Sequence, residues 1–141
     1  MARDLFPLYP IPAAQRTGGA LPLYTDVLWD TDKGQAVWSG GNPVITTGRE
    51  ALRGWVWRAI ATVRYRYDAF CWSFGCELER LVGYPYQADT KRSEAIRYVT
   101  EALTVNPYIT SARVTDVSLT GSTLHLQVEY TSPYGRDVIY V

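Results

Sequence analysis

The chain is 141 residues long and carries one histidine, one methionine and two cysteines. A structural zinc site takes four ligands, and one His with Cys71 and Cys76 cannot supply them. The two thiols sit five positions apart across Phe74-Gly75. A disulfide there is geometrically conceivable, but a reducing compartment would keep both as free, buried thiols. Net charge is also missing. The 14 basic and 14 acidic residues cancel, which removes the electrostatic footprint of nucleic-acid or anionic-membrane binding. No apolar run approaches the ~18–20 residues of a membrane span. No apolar signal-peptide core follows Arg3-Asp4, so folding in the cytoplasm is expected. No phosphate-cradling or dinucleotide glycine pattern occurs, because Gly40-Gly41 reads as a turn, and no cofactor is expected.

Aromatic side chains, by contrast, are plentiful: 11 Tyr and 5 Trp. They combine large apolar area with a polar tip, which suits a surface that becomes an interface. The length fits one domain with a proper core. Residues 1–20 hold Pro7, Pro10, Pro12, Gly18 and Gly19, too many breakers for a helix or an inner strand. Leu5, Phe6, Leu8 and Tyr9 are nevertheless apolar, so this segment reads as an extended arm that docks on a neighbour. Residues 21–141 form the single folded domain.

The domain is organised around Thr47–Tyr86. Thr47 stands three residues before Glu50, the spacing of a capping box. Leu52, Val56, Ala59, Ile60 and Val63 then recur at three and four, with Trp55 at the margin, so a core-facing helix is predicted. Arg53, Trp57 and Arg64 border that face and are candidate interface residues. Ala69–Trp72 reads as a short strand or extended link. A brief second helix is predicted from Cys76 to Val82, with Leu78, Leu81 and Val82 inward and Gly83 as its stop.

Upstream, Tyr24–Trp29, Gln35–Trp38 and Pro43–Thr46 read as a small meander with turns at Asp30–Gly34 and Gly40–Asn42. Downstream, a third helix is predicted over Thr90–Val105, capped by Asp89 or Thr90, with Ala95, Ile96, Val99, Ala102 and Leu103 inward. Pro107 ends it. A strand over Ile109–Leu119 changes phase between Val114 and Val117, the mark of a bulge or of a strand partly buried on both faces. Gly121-Ser122 centres a two-residue hairpin. From Thr123 to Tyr130 apolar and polar residues alternate cleanly, placing His125 on the wet face. Asp137–Val141 is the last strand. The fold class is therefore α+β: an N-terminal extended arm and small β meander, then three helices packed on a C-terminal antiparallel sheet.

The helix, the basic-aromatic link and the run Trp72-x-Phe74-Gly75-x-Glu77-Leu78-Glu79-x-Leu81-Val82-Gly83 together resemble one family. It is the small baseplate wedge proteins of contractile phage tails, the gene-twenty-five-like family once called tail lysozymes, which act as sheath initiators. The likeness is greatest to the PBSX-type prophage branch. It extends to Asp4-Leu5-Phe6-Pro7, Leu21–Tyr24 and Val105–Ile109. It implies a structural role in the inner baseplate, in six copies around the tail axis, contacting the tail sheath protein and other wedge and hub proteins. Assembly would take place in the host cytoplasm, and the mature location would be the tail baseplate.

The implied mechanism is strand addition, in which a sheath subunit pairs an extended segment with a free sheet edge. The last strand, Asp137, Val138, Ile139, Tyr140 and Val141, is the expected accepting edge. Relatives carry Glu-Pro-Arg after the long helix, linked to wedge docking. Here Asn106-Pro107-Tyr108 stands in that place, so the proline stop remains and both charges are gone.

The lysozyme label has an alternative to offer, since glycoside hydrolysis needs two carboxyl groups flanking the sugar. Glu77 and Glu79, two apart on a helix, point to opposite sides, and nothing demands that Asp68 approach either. No enzyme is expected. A second alternative, a nucleic-acid surface built from Arg53, Trp57, Arg64, Tyr65, Arg66 and Tyr67, conflicts with the neutral charge. Deleting residues 2–16 should weaken assembly with partner chains, read by co-sedimentation, and leave the melting temperature of the isolated chain nearly unchanged.

Overall fold

The computed structural model describes residues 20–141. The apolar anchors expected in the arm, Leu5, Phe6, Leu8 and Tyr9, lie outside the described residues. Six short strands come first: β1 (Thr25–Val27), β2 (Trp29–Asp30), β3 (Gln35–Ala36), β4 (Trp38–Ser39), β5 (Asn42–Pro43) and β6 (Ile45–Thr47). They pair antiparallel as β1–β6, β2–β3 and β4–β5. The three predicted strands are all present, but each bends at its middle residue so that its halves find different partners. The bent residues close a ring of backbone bonds. Leu28 N–H donates to Val44 O at 2.7 Å, Val37 N–H to Leu28 O at 2.9 Å, and Val44 N–H to Val37 O at 2.9 Å.

Helix α1 (Arg49–Ala61) follows. The expected Thr47–Glu50 capping box does not form. Gly48 occupies the N-cap with φ 67° and no side-chain cap bond, and its carbonyl accepts from Leu52 N–H at 3.1 Å. Thr47 is held in β6 opposite Thr25, while the Glu50 carboxylate accepts from Thr46 Oγ1 at 3.1 Å. Of the predicted stripe Leu52, Val56, Ala59 and Ile60 are buried, together with Ala51, while Val63 lies beyond the helix end and is only partly buried.

Ala69–Trp72, expected as a short strand or an extended link, forms turns instead, and pairing falls on either side of it. Val63 bridges Cys76 in parallel, with Cys76 N–H to Thr62 O at 2.8 Å and Arg64 N–H to Cys76 O at 3.1 Å. Gly75 (φ 103°) permits this approach, since a Cβ there would sit 2.9 Å from Thr62 O. With Cys76 tied to that bridge, the second predicted helix shrinks to a 3₁₀ turn, Leu78–Leu81. Leu81 is buried, but Val82 is 38% exposed. The described residues thus contain two α-helices where three helices were predicted, and the α+β class stands.

Helix α2 (Ala88–Thr104) starts earlier than predicted. Gln87 holds the N-cap, which leaves Asp89 in the first turn, where its charge favours the helix dipole. Ala95, Val99, Ala102 and Leu103 are buried, and Ile96 is 37% exposed at the edge of that face. Arg97 pairs with Glu94 and Glu101, as their spacing suggests.

The C-terminal sheet holds β7 (Ser111–Thr120), β8 (Thr123–Ser132) and β9 (Gly135–Tyr140), antiparallel and in that order. The register slips between Val114 and Asp116, so Thr115 is the extra residue of the expected bulge. Thr120 faces Thr123 across the Gly121-Ser122 turn. In β8 Leu126, Val128 and Tyr130 are buried, while His125 lies on the wet face as predicted. One core joins them to α1 and α2: Leu52, Val56, Val99, Leu103, Val128, Tyr130 and Ile139 are fully buried.

Gly54 sits where α1 meets β2, and a Cβ there would lie 2.8 Å from Trp29 Cβ. That neighbour adjoins the backbone and has little room to yield. Gly54→Ala gains about 1 kcal/mol of helix propensity and loses about 1–3 kcal/mol to overpacking. Net destabilisation is expected, visible as a lower urea midpoint at unchanged slope.

Candidate functional site

Arg49 and Arg53 stand four apart on α1 and so project from one face. Both reach Asp137 on β9, which is 7% exposed. Arg49 Nη2 and Arg53 Nη1 each lie 3.0 Å from Asp137 Oδ1, and Tyr130 OH donates to Oδ2 at 3.2 Å. Burial alone would push the Asp137 carboxyl up. The Arg49 hydrogen bond, the Val138 N–H and the two guanidinium charges outweigh it and hold the group below the usual carboxylate range. Burial, then the Asp137 charge, pushes the Tyr130 hydroxyl far above its ordinary value. This clamp fastens α1 to the last strand.

Backbone direction along that strand follows from one pair. Leu126 and Val141 exchange both N–H···O bonds, at 2.8 and 3.0 Å, and the β8–β9 register runs unbroken from there. By antiparallel alternation Ile139, Asp137 and Gly135 also turn toward β8, while Tyr140, Val138 and Arg136 turn outward. The outward groups of Val138 are both engaged within the chain. Its N–H donates to Asp137 Oδ1 at 2.9 Å and its carbonyl accepts from Arg53 Nη1 at 3.1 Å. The expected edge Asp137–Val141 is therefore a true margin of the sheet whose middle is already occupied.

The same reasoning applies to β7. Ala112, Val114, Val117 and Leu119 face Tyr130, Val128, Leu126 and Leu124, the residues of β8 turned toward β9. Their own N–H and C=O groups consequently point away from β8. Among the described residues those groups have no other partner.

The remaining expected interface residues separate in space. Arg53 belongs to the clamp. Trp57 lies over Gly34 and packs on Trp29, ring centroids 5.8 Å apart. Arg64 keeps only 12% of its side chain exposed and lies 4.0 Å from Glu77. Asn106 and Tyr108 are buried and make a structural corner, with Tyr108 N–H on Asn106 Oδ1 at 3.0 Å and Tyr108 OH on the Pro22 carbonyl at 2.6 Å. Only Pro107 of that tripeptide faces solvent. The sequence reading did not single out the loop after α1 as one surface. Tyr65, Tyr67, Phe70 and Trp72 are all exposed there, Trp72 by 84%. The aromatic density of the stretch was the available signal. Cys71 lies on this loop and is exposed, contrary to expectation, while Cys76 is buried and its thiol pushed up to about 11 by that burial.

The sequence profile of a family described as contractile injection system sheath initiator matches residues 25–135. The chain belongs to this family. No curated protein matches the chain.

A sheath initiator is a structural component, associated with the tail sheath and the baseplate of a contractile injection system. The carboxylates of the hydrolytic alternative are held in ion pairs in this sheath initiator. Glu77 is paired with Arg64 and Arg80, and Glu79 with Arg66, so arginines surround them in place of the apolar walls that a proton-donating acid needs. The same pairs offset the cations of the supposed nucleic-acid cluster. No helix among the described residues is long and apolar enough to cross a membrane.

The clamp gives a pH dependence of definite sign. A carboxyl held below its unfolded value, ~3.9, contributes stability that is complete above that pH and lost as pH falls through the folded value. Asp137→Asn should lower stability at pH 7 by about 2 kcal/mol, less than a fully buried pair because both arginines keep water contact. Urea titrations from pH 7 to pH 2 should show a shallower acid loss in the variant than in the parent chain.

Proposed function

We propose that this sheath initiator starts the first ring of tail sheath by offering a backbone edge of its C-terminal sheet to an extended segment of a sheath subunit. The observation that carries the reading is the three-stranded sheet β7–β8–β9, in which each outer strand has a single neighbour. A sheet margin on a rigid core is what strand addition requires. Six copies around the tail axis, held by wedge and hub proteins in the inner baseplate, would turn the edges into a ring template. Assembly would occur in the host cytoplasm before the particle is released. Wedge docking at Asn106–Tyr108 would rest on Pro107, and the exposed aromatics Tyr65–Trp72 are better suited to that contact.

Hydrolysis and nucleic-acid binding have no comparable observation in their favour. Deleting the gene from a producing strain should leave baseplate–tube complexes without sheath in electron micrographs, and a plasmid copy should restore them. Sheath of normal length starting at the baseplate without this chain would refute the reading.

A further inference from the structure

We infer that the accepting edge is β7, at Val117–Leu119, and that β9 is closed to strand addition by its own neighbours. This rests on the strand-addition reading and deepens it by naming the edge and the chemistry of the incoming segment. On β9 the central outward residue, Val138, has both backbone groups satisfied by Asp137 and Arg53. An incoming strand would have to break a charge-assisted hydrogen bond that is part of the α1 clamp. On β7 the outward groups of Val117 and Leu119 meet no such competitor among the described residues.

A groove of about 450 Å³ lies beside that half of β7, lined by Leu81, Val82, Tyr86, Val117, Leu119 and Leu124. Leu119 and Val82 are 44% and 38% exposed, and Tyr86 is 48% exposed. In an added strand, side chains alternate faces, so every second residue would enter this groove. Lys91, Arg92 and Asp89 also line it and none of them makes an ion pair among the described residues, so two cations face one carboxylate and the groove is net positive. The occupant is therefore an extended sheath segment with apolar residues at alternate positions and a carboxylate beside them. The bulge at Thr115 breaks the edge, so the added strand pairs with the distal half and does not run the length of β7.

Hydrogen exchange on the full chain, free and bound to the sheath subunit of the same particle, tests the assignment. The Val117 and Leu119 amides should become protected on binding, while Arg136 and Tyr140 stay unchanged. Val117→Pro removes an outward N–H and leaves the β7–β8 ladder intact, as does Leu119→Pro. Either should weaken sheath binding roughly tenfold or more, against less than about twofold for Tyr140→Pro, with unchanged far-UV circular dichroism. Protection at Arg136 and Tyr140, with binding by both β7 variants intact, would overturn the edge assignment and leave strand addition standing. Sheath binding with neither edge protected would overturn both.

Discussion

The Asp137 carboxylate is the point on which the architecture depends. It lies under the sheet, nearly out of water, and two arginines from α1 and the Tyr130 hydroxyl converge on it. Leaving a charge there unpaired would be costly, so the position of α1 against β9 is fixed by electrostatics as well as by apolar packing. The same contact engages the backbone of Val138. Holding the helix to the sheet and closing one margin of that sheet are one arrangement of atoms.

That economy gives the sheet two unlike sides. A protein with open strands risks pairing with any passing chain, and natural sheets blunt their margins by charge, by bulges or by cover. Here β9 is covered at its centre by a guanidinium, and β7 carries a bulge at Thr115 that limits how much of it can pair. Strand addition as proposed requires the sheet to accept a partner strand without accepting copies of itself. An asymmetric sheet, guarded on one side and restricted on the other, serves that need.

Much of this was legible in the chain because the signals were local. The spacing of Leu52, Val56, Ala59 and Ile60, the alternation in β8, the phase slip before Val117 and the Gly121 turn each act within a few residues. The failures were contests with distant partners. Thr47 lost its capping role because β1 claimed it for pairing. The second helix lost its start because Cys76 bonds Thr62, fourteen positions back, across a glycine that permits the approach. The clamp joins residues 84 and 88 positions apart, and no periodicity announces it. Tyr108 looked like a docking residue because its tripeptide was read alone; its hydroxyl is spent on Pro22, 86 residues away.

The ring of backbone bonds among Leu28, Val37 and Val44 has a mechanical consequence for a device that contracts. The three ribbons radiate from one junction, and each carries only two or three ladder pairs. A tear begun at the Gly40-Gly41 tip can run two residues before it meets the junction, where opening it further must disrupt bonds to both other ribbons at once. Damage at the Gly40-Gly41 tip meets that junction before it reaches the Trp29–Gly54 contact on which α1 rests.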